Sequence, residues 1–182
     1  MEDYAYILDH MPHGRPDSKR FHPSPVTLGI GDREFKILEL IPKEDAVIQI
    51  GDRVYIGKDL EIRDRIQHVK RRIGYKDLTG AAQSELTYIL EQIVKDQEER
   101  FIEFINNAHW ISTRFHMLEI LPGLGKKTLV QLLEERKKGP FKDFADLVGR
   151  VPAVRHPEKL IAKRIHQELQ DTHQKYKLFV AH

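Results

Sequence analysis

The chain has 182 residues, of which 40% are hydrophobic and 32% are charged, and its formal net charge is +2. It contains no cysteine, which excludes disulfides, thiolate zinc sites and a cysteine nucleophile. No apolar run approaches the roughly 18 residues that a membrane-spanning helix needs. The first residues are acidic and lack the basic and apolar regions of a signal peptide. We therefore expect a cytoplasmic protein that does not bind membranes, built as one domain or two small ones.

A short apolar run at residues 4–8 predicts the first strand, and a long loop follows it. Residues 9–25 contain four prolines and one glycine, which argues against regular structure. The loop also carries basic side chains and Phe21, a mixture that suits charge and stacking contacts with a single-stranded nucleic acid. Those basic residues are Arg15, Lys19 and Arg20. A mobile loop that binds nothing is the alternative.

Residues 26–73 have the pattern of a small β-barrel. Apolar runs at 26–30, 34–41, 47–50, 54–57 and 60–70 alternate with turn signals. The stretch 51–57, which reads Gly-Asp-Arg-Val-Tyr-Ile-Gly, resembles the entry to a central strand in barrels of the oligonucleotide-binding fold. That resemblance implies a nucleic-acid face that includes Arg53 and Tyr55. Other candidates for this face are Lys58, Arg63, Arg65, Lys70, Arg71 and Arg72.

Residues 81–106 predict a helix, with Thr79 as its N-cap. Apolar residues recur at helical spacing, for example Leu86, Ile89 and Leu90. The segment is acidic, so we expect it to pack against the core or a partner rather than bind phosphate. Trp110 follows near a helical junction, where a tryptophan is more often part of the core than a stacking surface.

The most informative stretch is 121–127, which reads Leu-Pro-Gly-Leu-Gly-Lys-Lys. Apolar, helix-forming residues precede it at 115–120 and follow it at 129–133, which predicts a helix, a tight Pro-Gly turn and a second helix. The amides and positive dipole at the start of that second helix, together with Lys126 and Lys127, would bind an anion such as phosphate. An ordinary turn between two helices with a glycine cap is the alternative.

This stretch resembles the helix-hairpin-helix family, whose core pattern is apolar-Pro-Gly-apolar-Gly followed by polar residues and a helix. The matching residues, in order, are Pro122, Gly123, Leu124, Gly125, Lys126 and Lys127. The resemblance implies that the hairpin amides and nearby basic residues hold a DNA or RNA phosphate without reading sequence. Leu129 departs from the family, many members of which have alanine four residues after the second glycine, and this puts close packing of the two helices in doubt.

A second helix-turn-helix pattern follows at 141–148 and 158–169. Helix-hairpin-helix units commonly occur in pairs, and residues 139–147 resemble the connector of such a pair. The second turn lacks Gly-x-Gly, so we expect it to support the fold. Residues 113–169 hold 12 lysines and arginines against 7 acidic residues, whereas residues 1–112 hold 16 against 20. This basic excess fits a phosphate-binding half, although a solvated helical surface would also account for it.

Taken over its full length, the chain resembles an uncharacterised archaeal protein family, a domain of unknown function. The resemblance rests on residues 13–16, 51–57 and 121–127 in that order. We therefore predict an α+β protein in which a small N-terminal β-barrel, similar to the oligonucleotide-binding fold, precedes an all-α tandem helix-hairpin-helix domain. The predicted boundaries are 1–78 for the barrel with its loop at 9–25, 79–112 for connecting helices and 113–182 for the hairpin domain.

No strong catalytic pattern is present, so we expect a protein without enzymatic activity, metal or cofactor. A Walker-type phosphate loop and paired zinc-binding histidines are absent. Asp59, Glu61 and Asp64 are candidates for a metal-dependent nuclease site. Carboxylates beside Arg63 and Arg65 are far more often surface ion pairs.

The sequence thus predicts a non-enzymatic protein that binds RNA or DNA largely without sequence preference. The predicted binding residues are Gly123, Leu124, Gly125, Lys126, Lys127, Arg15, Lys19, Arg20, Arg53 and Tyr55. The alternative is a protein–protein adaptor in which the hairpin domain is a scaffold and the acidic helix at 81–106 docks a partner. A metal-dependent nuclease is a third, weaker hypothesis.

Overall fold

The computed structural model describes residues 1–16, 19 and 24–182. It confirms an α+β protein, with a five-stranded antiparallel sheet curled into a half-barrel and five α-helices among the described residues. The chain divides into two compact units. Unit 1 comprises Met1–Ile89 with Glu168–His182, and unit 2 comprises Leu90–Gln167. In this division the C-terminal residues, which were predicted to belong to the hairpin domain at 113–182, group with the sheet.

The sheet of unit 1 is ordered β4-β1-β2-β3-β5, and all its neighbours pair antiparallel. Its strands are β1 (Tyr4–Met11), β2 (Val26–Gly31), β3 (Ile37–Pro42), β4 (Arg53–Tyr55) and β5 (Ile66–Arg72). The core contains Ile7, Leu40 and Ile66, each fully buried. Every residue of the central strand β2 is buried, which explains its nearly continuous apolar sequence.

Two predicted strand segments do not form strands. Residues 47–49 have irregular structure and Ile50 begins a turn, and the run predicted at 60–70 becomes a strand only at Ile66. The side chains of Val47 and Leu60 are 76% and 70% exposed, although Ile48 packs against the core. Apolar alternation produces a strand only where a partner strand is present, and residues 47–50 and 60–65 have no partner strand.

Arg63 links the two edges of the half-barrel. Its guanidinium group donates hydrogen bonds to the carbonyl oxygens of Ile56 at 2.9 Å, Gly57 at 2.7 Å and Gln67 at 3.0 Å. The first two carbonyls follow β4 directly, and Gln67 lies in β5. Because an open strand edge leaves backbone groups unpaired, the five donors of one arginine stabilise both edges at once.

Glu39, on β3, is a buried carboxylate with three cationic neighbours. Its side chain is 1% exposed and contacts Lys70 at 2.7 Å, Arg71 at 3.0 Å and Arg15 at 3.3 Å. Burial raises the pKa of Glu39, but the hydrogen bonds from Lys70 and Arg71 outweigh this and leave it below its ordinary value. Arg15 also donates to the carbonyl oxygen of Asp77. The cluster therefore joins the long loop and strand β5 to β3.

Glu168 explains why the C-terminal residues belong to unit 1. Its buried carboxylate accepts hydrogen bonds from the amides of Leu178, Phe179 and Val180 at 2.7, 3.1 and 3.0 Å. Ala181 then donates its amide to Glu34, whose carbonyl lies in the loop before β3. The tail is thus held by hydrogen bonds to a carboxylate and to the edge of the sheet.

The predicted helix at 81–106 forms as two helices, α1 (Gly80–Asp96) and α2 (Glu98–Asn107). Gln97 leaves the helical conformation, with φ −114° and ψ 35°, and separates them. The Thr79 N-cap is confirmed, since the Thr79 hydroxyl accepts the amide of Ala82 at 3.1 Å. Nowhere in the described ranges is a helix both long and apolar enough to cross a membrane.

In unit 2, a two-stranded hairpin and a 3-10 helix replace the helix that the sequence predicts at 115–120. The remaining elements are β6 (Trp110–Ser112), β7 (Phe115–His116), the 3-10 helix Met117–Ile120, α3 (Lys126–Lys137), α4 (Phe144–Arg150) and α5 (Pro157–Gln170). The prediction was wrong because His116 caps the segment: its ring accepts the amide of Leu118, and Glu119 accepts the amide of His116. Pro122 follows too soon for an α-helix to extend.

Arg150 connects the elements of unit 2 around the α3–α4 connection. It donates to the carbonyl oxygens of Glu135, Gly139 and Pro140, and it pairs with Asp146 at 3.3 Å. Its guanidinium carbon lies 4.4 Å from the centre of the Phe141 ring. With only 23% of its side chain exposed, Arg150 acts as a structural donor rather than as a free surface charge.

We expect Arg150→Ala to lower the free energy of unfolding by roughly 2–4 kcal/mol, because three carbonyl oxygens, two of them part-buried, lose a charged donor. Arg150→Lys should recover little of this, since an ammonium cannot reproduce the planar arrangement of donors. Urea unfolding followed by circular dichroism measures the change. Arg155→Ala, at an exposed arginine in the loop before α5, is the matched control and should stay within about 0.5 kcal/mol of wild type. Equal losses in the two alanine variants would contradict this role.

Candidate nucleic-acid interface

The turn before α3 has the geometry that its Pro-Gly sequence predicts. The amide of Leu124 donates to the carbonyl of Leu121 at 3.3 Å, with Pro122 and Gly123 between them. Gly123 has φ +91°, and proline followed by a residue of positive φ is the pattern of a type II turn. A Cβ at Gly123 would be strained and would approach Leu160 to 3.1 Å. The glycine is therefore required by both conformation and packing.

Apolar and polar residues around this turn separate onto opposite sides. The leucine side chains are buried, with exposures of 4% at Leu121 and 8% at Leu124. Gly125, Lys126 and Lys127 are exposed. Leu124 was predicted as a binding residue, but its buried side chain leaves only its backbone available to a ligand. The buried leucines thus fix the turn to the core, while Gly125, Lys126 and Lys127 face solvent.

The N-terminus of α3 offers unpartnered hydrogen-bond donors. The first backbone bond of the helix runs from the amide of Leu129 to the carbonyl of Gly125 at 2.9 Å, and no side chain caps the helix. Within the described residues, the amides of Lys126, Lys127 and Thr128 have no protein acceptor. The first turn contains no acidic residue, so the helix dipole and two lysine charges add together.

The predicted loop residues are less available. Arg15 is held by Glu39 and by the Asp77 carbonyl, which leaves 22% of its side chain exposed. Lys19 is exposed. Arg20 lies outside the described residues.

Arg53 and Tyr55 come together on the sheet of unit 1. The guanidinium of Arg53 lies 3.6 Å from the centre of the Tyr4 ring and donates to Asp32 at 2.9 Å. The Tyr4 and Tyr55 rings meet edge-to-face at 5.2 Å, and the Tyr55 hydroxyl accepts the amide of Asp59. Tyr4 was not among the predicted site residues. Its position directly opposite Tyr55 in the β1–β4 pairing is a register that the sequence alone does not specify.

The three carboxylates considered for a nuclease site do not gather. Asp59 accepts the amide of Glu61 at 3.1 Å, and Asp64 lies 3.8 Å from Arg65 with 71% of its side chain exposed. In the part of the chain that the structure describes, no three histidine or acidic side chains are placed to hold a metal ion. The geometry thus offers these carboxylates no shared ligand.

Trp110 was expected in the core, and this expectation was wrong, since its side chain is 51% exposed. Its ring meets the His116 ring edge-to-face, with centres 5.0 Å apart and planes at 84°. His116 itself is fully buried, and its Nδ1 accepts the amide of Leu118 at 3.0 Å. Burial, with a smaller contribution from the positive charge of Arg136, lowers the pKa of His116. The imidazole is therefore neutral when the protein is folded.

The neutral, buried imidazole of His116 predicts that the stability of the protein depends on pH. Once unfolded, His116 takes up a proton near its ordinary pKa of 6.5, whereas the folded protein resists protonation there. The contribution of neutral His116 to the free energy of unfolding is therefore intact above pH 6.5. Below pH 6.5 it is lost, at up to about 1.4 kcal/mol per pH unit. In His116→Asn the amide oxygen can accept the Leu118 amide without titrating. We expect the free energy of unfolding to fall more between pH 7.5 and 5.5 in wild type than in His116→Asn, as measured by urea unfolding. Equal falls would contradict a neutral buried His116.

Comparison with known proteins places the whole chain in one family. The model of a family described as "Protein of unknown function (DUF655)" matches residues 1–181. An uncharacterized protein of Methanocaldococcus jannaschii, MJ0038, is 44% identical over 180 residues, which are 98% of this chain and 80% of that protein. The crystal structure of Af1531 from Archaeoglobus fulgidus matches 99% of this chain and all of that one, with 46% identity and a TM-score of 0.92. The predicted membership in an uncharacterised archaeal family is confirmed: the chain belongs to the DUF655 family.

Proposed function

We propose that this protein binds nucleic acid and grips a phosphate of the backbone with the turn at 121–127 and the start of α3. The observation that carries the proposal is the set of unpartnered amides at Lys126, Lys127 and Thr128 beside two exposed lysine side chains. Phosphate oxygens accept hydrogen bonds from amides, and their charge is favourable at the positive end of a helix. Contacts to phosphate carry no sequence information directly, so we expect weak sequence preference.

The distribution of basic residues in unit 2 supports the same assignment. Two of its arginines, Arg136 and Arg150, donate to backbone carbonyls and are partly buried. Its exposed positive charge is mainly lysine: Lys126, Lys127, Lys137, Lys138, Lys142, Lys159 and Lys163. Lysine charges at a solvent-facing surface attract a polyanion over a distance of about 10 Å at 0.1 M salt. The basic excess predicted from the sequence is therefore available to a ligand mainly through its lysines, with Arg114 and Arg155 as exposed arginines.

We assign the turn and α3 to the helix-hairpin-helix pattern, with the 3-10 helix Met117–Ile120 in place of the usual first helix. The positive φ at Gly123 and the uncapped start of α3 support this assignment. In the same proposal α4 and α5 form the supporting second half. The half-barrel would correspond to the oligonucleotide-binding fold, and its exposed Arg53 beside Tyr4 and Tyr55 would be a secondary contact.

Charge reversal at the turn tests the proposal. We expect Lys126→Glu/Lys127→Glu to bind a labelled oligonucleotide at least tenfold more weakly in 100 mM salt, a loss of about 1.4 kcal/mol or more. The far-ultraviolet circular dichroism should be unchanged, since both side chains are exposed. Lys76→Glu/Lys95→Glu, at two exposed lysines outside the turn and α3, changes the net charge equally and should weaken binding far less. Unchanged affinity of the folded turn variant would refute the proposed grip.

The salt dependence of binding provides a second, independent readout. Each phosphate contact contributes about 0.7–0.9 to the slope of log K against log salt concentration. If both lysines neutralise phosphates, the turn variant should have a slope smaller by about 1.4–1.8. Fluorescence anisotropy at four salt concentrations gives both slopes. Equal slopes for wild type and the turn variant would show that the lysines act without phosphate contact and would count against the proposal.

A protein–protein adaptor is the alternative role. A partner that copurifies with the protein after nuclease treatment would favour it, particularly if binding depended on the acidic helices α1 and α2. If the wild-type protein binds no nucleic acid at low salt, our proposal is refuted and the adaptor role is favoured.

A further inference from the structure

The β6–β7 hairpin presents a large aromatic surface that the fold leaves uncovered. All three residues of β6 are exposed, including Trp110 at 51% and Ile111 at 36%. A half-exposed tryptophan is costly to leave in water, because its side chain is the largest apolar surface a residue can offer. Exposure of the only tryptophan in the chain therefore requires an explanation that the fold does not provide.

The Trp110 ring is held in place on one side. Trp110 pairs with His116 across the hairpin, and the two rings meet edge-to-face at 5.0 Å. His116 is itself fixed in position. It is buried, its ring accepts a hydrogen bond from the amide of Leu118, and its backbone amide donates to the carboxylate of Glu119. A ring positioned in this way loses little conformational freedom when a ligand stacks on it.

The charges around the hairpin favour an anionic ligand. Residues 107–118 include the cation Arg114 but no aspartate or glutamate. Arg114 is exposed near the hairpin tip. A ligand that combines a flat apolar ring with a negative charge matches this surface, and an unpaired nucleotide has that combination, since its base stacks and its phosphate is an anion.

The hairpin is also close to the proposed phosphate grip along the chain. The 3-10 helix Met117–Ile120 begins directly after His116 and ends directly before Leu121. Four residues of 3-10 helix rise about 8 Å. His116, whose ring contacts Trp110, and the turn at 121–127 thus lie at the two ends of this 3-10 helix. A single nucleic-acid strand could contact both.

We propose that Trp110 is a stacking surface for an unpaired base of the strand whose phosphate is held at 121–127. This inference rests on the proposed function and deepens it, because it specifies single-stranded nucleic acid or a frayed duplex end as the ligand. Fully paired duplex binds through the phosphate grip alone.

The intrinsic fluorescence of the chain tests this directly, because Trp110 is the only tryptophan. The wild-type protein is titrated with unlabelled oligothymidylate and, separately, with a blunt duplex of equal length. Anisotropy of labelled versions of the same probes measures binding independently. We expect the single strand to quench the tryptophan emission with the dissociation constant that anisotropy gives, and the duplex to quench it much less.

Variants extend the test to affinity. We expect Trp110→Ala to weaken single-strand binding by about 5- to 150-fold, the range for loss of one stacked base, and duplex binding by less than threefold. Trp110→Phe should retain most of the single-strand affinity, since an aromatic face remains. Tyr88→Ala is the matched control, because Tyr88 is an even more exposed aromatic residue, at 69%, on the acidic helix α1. It should bind both probes as wild type does.

The outcomes separate this inference from the proposed function. If wild type binds the single strand by anisotropy with unchanged tryptophan emission, stacking is refuted while the phosphate grip stands. Equal losses for single strand and duplex in Trp110→Ala would also refute stacking, since they would indicate a structural role. If neither probe binds, the proposed function and the stacking inference both fail. The quenching measurement on wild type decides the matter even if Trp110→Ala does not fold.

Discussion

The structure depends on arginine side chains that satisfy buried or unpaired acceptors. Arg63 bonds the carbonyls at both edges of the half-barrel, and Arg150 bonds the carbonyls around the α3–α4 connection. The carboxylate of Glu39, almost completely buried, is compensated by Arg15, Lys70 and Arg71. A buried acceptor without a donor costs about 1–3 kcal/mol, so these cations cannot be withdrawn to meet a ligand without loss of stability.

This constraint divides the basic residues by role. Two of the arginines predicted to contact nucleic acid, Arg15 and Arg53, have carboxylate partners within the fold. At the turn before α3, by contrast, Lys126 and Lys127 have no ion pair among the described residues. The leucines of the same turn, Leu121 and Leu124, are buried. An unpaired charge on a rigid turn binds an anion without first breaking an internal contact. We therefore propose the turn as the main contact and the sheet as a secondary one.

Local chemistry explains what could be predicted from the sequence. The Thr79 cap, the second strand and the Pro122–Gly123 turn follow from neighbouring residues, and each formed where it was predicted. The first strand also formed, but it continues to Met11, three residues into the predicted loop at 9–25. The helix expected at 115–120 did not form, because a six-residue run is too short to decide between helix and strand without knowledge of what covers it. Partners distant in sequence were also beyond prediction, such as Glu39 for Arg15, 24 residues away. The exposure of Trp110 depends on the same long-range packing.

The measurement that tests the account most directly is binding of the wild-type protein to four labelled probes: single-stranded and double-stranded DNA and RNA, each at two salt concentrations. The account predicts binding that weakens steeply as salt rises, since a grip on phosphate releases counterions. It also predicts higher affinity for the single strands, because only they supply a base to Trp110. Absence of binding to all four probes at the lower salt concentration would contradict the account and point to a protein partner.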